Sequence, residues 1–201
     1  MAIGRFGSGI LVLLLTFTIY FVSIDSYILF EPDEARNMEI AREIVVEGRL
    51  FPPTIHGRVR YEKPPLYYYT LALSYKIFGH NEYSGRFLSA VSTILTAIGI
   101  FIFAKRFLQA KNPFIPSILF LTTIPIYIHG RLASMEPFLT MLIFYSLLFF
   151  VIYANNDKKI WAILSFVFVA LAFCVKGPIA IFYYLVFLIL YLSLIHISEP
   201  T

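Results

Sequence analysis

Long apolar runs occupy residues 8–30, 87–104, 113–128, 137–154 and 160–191, and polar segments separate them. Each run reaches or nearly reaches the roughly 20 residues that a helix needs to span the hydrocarbon core of a bilayer. Inside that core every backbone amide and carbonyl must be paired within the protein, which for segments of this length leaves the α-helix. The pattern predicts crossing helices at about 8–30, 83–104, 113–129, 136–154 and 160–175, and a sixth that begins near residue 178. The apolar stretch Ile179–Tyr191 is 13 residues long, too short to cross about 30 Å at 1.5 Å per residue, so the sixth helix reads as cut.

The longest polar-containing segment, residues 31–82, follows the first helix. Its opening part, Asp33–Glu47, carries Ala35, Met38, Ala41 and Val45 on one helical face, with Gly48 as a C-terminal stop. Such a helix lies along a membrane interface. Leu50–Tyr61, with Pro52, Pro53 and Gly57, reads as an irregular loop. "YEKPPLYYY" then returns the chain to the headgroup level, where Tyr67, Tyr68 and Tyr69 are suited to sit. Pro64–Gly79 is apolar but short and interrupted by Lys76, and is read as a juxtamembrane helix. With that choice Lys105, Arg106, Lys111, Lys158 and Lys159 all fall on the side of Arg5, as the positive-inside rule requires. The N-terminus is then cytoplasmic, and residues 31–82 form the first outer loop.

Composition sharpens this picture. Apolar residues make up 59% of the 201 positions and charged residues 14%, and Phe and Tyr contribute 21 and 14 residues. No soluble domain needs so much apolar surface, and the fold class is an all-α polytopic membrane protein. The net charge of +4 lies in short loops, where it sets topology and implies no nucleic-acid partner. The first apolar run is too long for a signal-peptide core and has no small-residue cleavage site, so it is read as a retained helix. A single cysteine, Cys174, excludes an intrachain disulfide.

In this topology Asp33, Glu34, Glu62, Lys63, Arg131, Glu136 and Lys176 all reach one side of the membrane. Asp33 suits either a helix N-cap or a catalytic base. Glu34 favours the helix dipole, and Glu62–Lys63 is equally readable as a solvated surface pair. Arg131 and Glu136 border the membrane, where an unpaired charge costs at least about 2.5 kcal/mol, so function or mutual pairing is the default. Lys176, before Gly177-Pro178, either snorkels to the headgroups or serves a site. His56, His80 and His129 have no metal-ligand spacing and are read as loop or boundary residues.

"EPDEARNMEIAREIVVEGR", "YEKPPLYYY", "NEYSGRFLSA", "GRLASMEP" and "VKGPIA", in this order, resemble the aminoarabinose-transferase and protein O-mannosyltransferase superfamily of GT-C glycosyltransferases over about residues 8–190. The resemblance implies a GT-C-type helix bundle with interfacial helices in the first outer loop. It also implies transfer of a sugar, usually with inversion, from a polyprenyl-phosphate donor to a lipid, glycan or protein acceptor at the outer face of the inner membrane. Asp33 matches the catalytic acid of the first loop, with Glu34 beside it. Glu62 and Lys63 match the Glu-Lys before the double proline, and Lys176 matches the lysine of the Lys-Gly turn. Glu136 stands where the aminoarabinose transferases have Asp. Lys63, Arg131 and Lys176 are thereby expected to neutralise the phosphate, with Glu34 and Glu136 shaping the sugar site. The resemblance further implies that Glu62 can join a zinc site with a histidine outside this chain; no other cofactor is expected. Residues 1–191 correspond to the N-terminal part of the transmembrane domain. "LSLIHISEPT", residues 192–201, resembles the translation of a sequencing-library adapter and is expected to be non-native. A transporter or lipid flippase, whose charges would sit at mid-membrane, and a non-catalytic scaffold are the competing readings.

Overall fold

In a computed structural model of the chain, residues 16–29 and 32–198 are described, with side chains through residue 193. Arg5, residues 8–15, Glu31 and the end of the 192–201 tail, on which several expectations rest, lie outside the described residues. The first helix, α1, is described over residues 16–21. It is followed by α2 (Pro32–Glu47), a hairpin of β1 (Thr54–Ile55) and β2 (Arg58–Val59), α3 (Leu66–Phe78) and α4 (Glu82–Arg106). The rest of the chain forms α5 (Phe114–Thr122), α6 (Ile124–His129), α7 (Glu136–Asn156), α8 (Lys159–Lys176) and α9 (Pro178–Ser198). Among the described residues α4, α7 and α8 are long and apolar enough to cross a membrane, so the chain is an integral membrane protein of the all-α class.

α7 is the centre of the bundle and packs against α4, α8 and α9. Hydroxyl groups in these helices are satisfied locally, as an apolar medium demands. Ser92, Thr93 and Thr96 donate to the carbonyls of Leu88, Ser89 and Ser92 within α4. Ser165 of α8 donates to Ser146 O of α7 at 2.7 Å and meets the Tyr184 hydroxyl of α9 at 2.8 Å. One apolar cluster joins α2, α3, α7 and α8 through Met38, Ala41, Ile44, Tyr67, Leu71, Leu139 and Val175. A second holds α1 against α4 and α5 through Tyr20, Ile24, Ala90, Ala97 and Leu121.

Several expectations are corrected. The span expected at 113–129 is two helices, broken at Thr123, whose ψ of 125° is extended. Pro125 has no amide to give to Leu121 O, four residues back; the Tyr20 hydroxyl of α1 donates to that carbonyl at 2.9 Å instead. The first helix does not continue to residue 30: it gives way to turns after residue 21, and Ser23 adopts a left-handed φ of 54°. The 50–61 segment is not irregular throughout. Thr54 pairs with Val59 and Ile55 with Arg58 across a two-residue turn, in which His56 and Gly57 have φ of 50° and 71°, the positive values of a type I′ hairpin. Tyr67 and Tyr68 are buried, in the apolar cluster that α3 shares with α2.

The helix expected at 33–47 and its stop at Gly48 are present. α2 ends at Glu47, and Gly48 takes a φ of 66°, where glycine avoids the Cβ penalty. Its buried residues, however, are Glu34, Asn37, Met38, Ile40, Ala41, Glu43 and Ile44, a face turned from the expected apolar one because all three polar members find partners.

Gly130, between α6 and α7, is where α1, α4 and α6 meet. A Cβ there would lie 2.5 Å from Tyr20 Cε1, 2.7 Å from Thr93 Oγ1 and 2.9 Å from the Ile126 carbonyl oxygen. Gly130→Ala is expected to lower stability by about 1–3 kcal/mol through overpacking, read as a fall in melting temperature in detergent. An unchanged melting temperature would show that these three helices are not in close contact.

Candidate functional site

Four of the expected residues line one polar cavity of about 160 Å³: Asp33, Glu34, Lys63 and Glu136. Asn37, His129 and Ser134 complete its polar wall. The cavity lies where the start of α2, the segment before α3 and the 130–135 segment meet. Its volume is below the roughly 300 Å³ of a drug-sized ligand site, and suits a phosphate or part of a sugar.

Asp33 is the second residue of α2, inside the first turn, and so does not occupy the capping position. Its carboxylate is exposed and pairs with Arg36 one turn on. Glu34 is buried, with 2% exposure, and its oxygens accept from Arg86 Nε at 2.7 Å and Arg86 Nη2 at 3.1 Å. The Ala133 amide donates to the same carboxylate at 2.9 Å. Adjacent residues on a helix differ by about 100° in direction, which is why one acid faces the opening and its neighbour the interior.

Arg86 lies within "NEYSGRFLSA", one turn into α4. Besides Glu34 it donates to Ile24 O at 2.7 Å, Tyr27 O at 3.1 Å and Ile28 O at 3.3 Å, and its guanidinium stacks 4.0 Å from the Tyr27 ring centroid. The sequence reading assigned it no role. The available signal was an arginine followed by an apolar run of membrane-spanning length, a residue that always needs an explanation.

The 130–135 segment is held from two sides. Asn37 Nδ2 donates to Ala133 O at 3.0 Å from α2, and Ser89 Oγ donates to Ser134 O at 2.8 Å from α4. Ser134 in turn donates to Glu136, and its hydroxyl lies 3.4 Å from His129 Nδ1. Lys176 Nζ donates to Glu136 Oε1 at 2.9 Å. That pair puts the start of α7 and the end of α8 together, as the convergence of charges predicts. His129, read from sequence as a boundary residue, is therefore part of the cavity wall; with no spacing motif to flag it, only its place at the end of α6 brings it in.

Two expected residues face elsewhere. Arg131 turns to α1, donating to Ile19 O, to Val22 O at 3.1 Å and to Ser23 O at 3.3 Å, and so takes up carbonyls that the end of a helix leaves free. Glu62 is exposed, pairs with Arg60 and does not line the cavity. Nor does it belong to any group of three metal-ligating side chains among the described residues. The zinc that the resemblance implies, with a histidine outside this chain, therefore has no set of three donors around Glu62 among the described residues. Lys63 is half-buried and makes no ion pair among the described residues, which leaves its ammonium available to the cavity.

A helical membrane bundle with an amphipathic loop helix docked on it, and acidic and basic side chains gathered at one end, is the class of protein that this fold and site define. Its fold is similar to that of "ArnT from Cupriavidus metallidurans in the apo state", with a TM-score of 0.88 and 22% identity over 95% of this chain and 36% of that one. The form of that protein "bound to Undecaprenyl phosphate" superposes with a TM-score of 0.87, also at 22% identity, over 94% of this chain and 36% of that one. The pattern of the family described as "Dolichyl-phosphate-mannose-protein mannosyltransferase" matches residues 62–199, a span that ends inside the 192–201 segment. The chain belongs to this family. It is 31% identical over 170 residues to an uncharacterised protein of Aquifex aeolicus (strain VF5), covering 84% of this chain and 34% of that protein. It is 34% identical over 151 residues to the "Undecaprenyl phosphate-alpha-4-amino-4-deoxy-L-arabinose arabinosyl transferase" of Enterobacter sp. (strain 638), covering 74% and 27%. The chain thus spans about a third or less of the length of these relatives.

The Glu34–Arg86 pair is expected to hold the site together. Removing one partner, as in Arg86→Met, leaves a buried charge unpaired and should cost about 3–5 kcal/mol, whereas Glu34→Met combined with Arg86→Met should recover a large part of the loss. A double-mutant cycle in detergent unfolding measures this. Additive single effects would mean that the two groups are not coupled.

Proposed function

We propose that this chain carries part of the donor site of a polyprenyl-phosphate-dependent glycosyltransferase. It moves a sugar, with inversion, to a hydroxyl of a lipid, glycan or protein acceptor at the extracytoplasmic face of the inner membrane. The observation that carries the reading is the presence of Asp33 and Lys63 on the wall of one cavity, with the Glu136–Lys176 pair at the same site. The names of the relatives, which specify undecaprenyl phosphate, support the donor class.

A lipid phosphate leaves as a stable anion and needs no proton from a general acid. It needs positive charge placed where negative charge accumulates. Lys63 supplies it from the cavity wall. Lys176, steered by Glu136, supplies a second cation at the site. Asp33 is the base that takes the acceptor proton or balances an oxocarbenium-like sugar. Its exposure leaves it open to an incoming acceptor, and Arg36 pairs with it one turn on. Glu34 is a positioning residue here: it fixes the first turn of α2 and the 130–135 segment through Arg86 and the Ala133 amide. Arg131 acts the same way on α1.

The test is transfer from undecaprenyl-phosphate sugars by membranes expressing the complete gene. Asp33→Asn should lower the transfer rate by about 10²–10⁴-fold, the usual contribution of a positioned base, with donor binding retained. Lys63→Met should weaken donor binding as well. Transfer at the parent rate in Asp33→Asn, with equal protein in the membrane, would refute the reading.

A further inference from the structure

Away from the cavity, at the opposite end of α2, a second constellation has no role in the transfer chemistry. Glu39 and Glu43 are one turn apart on α2, and His56 occupies the tip of the β1–β2 hairpin that packs on this helix. One ligand atom from each of the three side chains lies within 4.8 Å of the others. We propose that Glu39, Glu43 and His56 form a binding site for a divalent transition-metal ion of the zinc class, which clamps the hairpin to α2.

Three observations support it. Glu43 is buried, at 5% exposure, yet makes no ion pair among the described residues. The Thr54 hydroxyl donates to it at 2.5 Å, which orients the carboxylate but brings no positive charge. A buried carboxylate calls for a cation. Second, the donor set is mixed: two carboxylates and an imidazole suit zinc and its neighbours better than calcium or magnesium, which prefer oxygen alone. Third, the spacing is close to what is required. Tetrahedral ligands with bonds of about 2.1 Å stand roughly 3.4 Å apart, so the group has to contract by little more than 1 Å, which side-chain rotation supplies. His56, with a φ of 50° in the turn, sits on a fixed backbone rather than a free loop.

Glu39 is already engaged by Arg42, at 2.6 and 2.8 Å. That pair is half-buried and joins residues one turn apart on the same helix, a modest interaction and a weak competitor. Arg42 is the main reason the Glu39 carboxyl sits below the usual carboxylate range; His56 and His80 add to it, so both imidazoles lie near this acid. The site is structural. Along α2 Glu39 stands six residues, about 9 Å, and Glu43 ten residues, about 15 Å, from Asp33, outside the cavity wall and well placed to stiffen the loop that carries Asp33.

The inference is independent of the transferase reading. Its test is Zn²⁺ binding by the chain, purified in detergent and stripped with chelator, measured by calorimetry and by metal content after desalting. One Zn²⁺ per chain is expected. His56→Ala and Glu43→Gln should each weaken binding by more than tenfold, and Thr54→Val by about tenfold as the loss of an orienting partner. Arg42→Gln, a change at a half-buried side chain that removes its pair with Glu39, should strengthen binding by freeing that carboxylate. Limited proteolysis within residues 50–61 should slow when Zn²⁺ is added. Absence of binding beyond that of empty micelles, unchanged affinity in both His56→Ala and Arg42→Gln, or loss of binding in Glu62→Gln with His56→Ala unaffected would each overturn the proposal.

Discussion

A guanidinium withdrawn from water must find an acceptor for each of its N–H groups, or the cost of burying its charge is not met. Arg86 has no exposed surface, and its five donors meet five acceptor contacts: two on Glu34 and one each on the carbonyls of Ile24, Tyr27 and Ile28. Much else follows from that requirement. The carbonyls of residues 24–28 can serve Arg86 only if the first helix has already opened into turns. Glu34 can reach only if the first turn of α2 is docked on α4. Because Glu34 also accepts the Ala133 amide, the 130–135 segment is drawn into the same knot. Three separate stretches of chain are thus fixed around the cavity by one buried ion pair.

A second arginine repeats the device at lower cost. Arg131 serves carbonyls of residues 19–23 with its own fork, and remains partly exposed. The division of labour between the cations follows from their shapes. Planar guanidinium groups with five donors suit clusters of carbonyls, while the ammonium of a lysine acts as a compact point charge on a flexible stem. Here the arginines organise the backbone, and Lys63 and Lys176 remain for the site. Arg42 and Arg36, in contrast, make short-range pairs with acids one turn away on α2.

The loop helix α2 therefore carries two kinds of acid on two faces. Its N-terminal end is bound to the bundle and presents Asp33 to the cavity. Its C-terminal end is bound to a small hairpin through Glu43 and Thr54. α3 packs on the same helix with buried Tyr67, Tyr68 and Leu71, so the segment from α2 to α3 is a packed layer on the bundle rather than a loose loop. That rigidity is what a site needs when its residues come from positions as far apart in sequence as 33, 63, 136 and 176.

The sequence by itself determined the class of fold, because apolar runs of membrane-spanning length admit only helices, and it placed α4, α7, α8 and the stop of α2 at Gly48 within a few residues. It also marked Asp33, Glu34, Glu62, Lys63, Arg131, Glu136 and Lys176 as residues that share one side, since charges beside apolar spans need partners and parity put them at one end, though Glu62 and Arg131 face away from the cavity. What it did not contain was the direction of each side chain. Asp33 and Glu34 are neighbours in sequence and opposite in environment; Arg131 and Lys63 are both cations, yet one faces backbone carbonyls and the other the cavity. His129, Ser134 and Asn37 join the wall with no spacing signal, and the break at Thr123 required knowing that Tyr20 would take the Leu121 carbonyl. These choices were decided by tertiary structure alone, because which acceptor a buried donor finds depends on atoms far away in the chain, whereas hydrophobic periodicity is written in neighbouring residues.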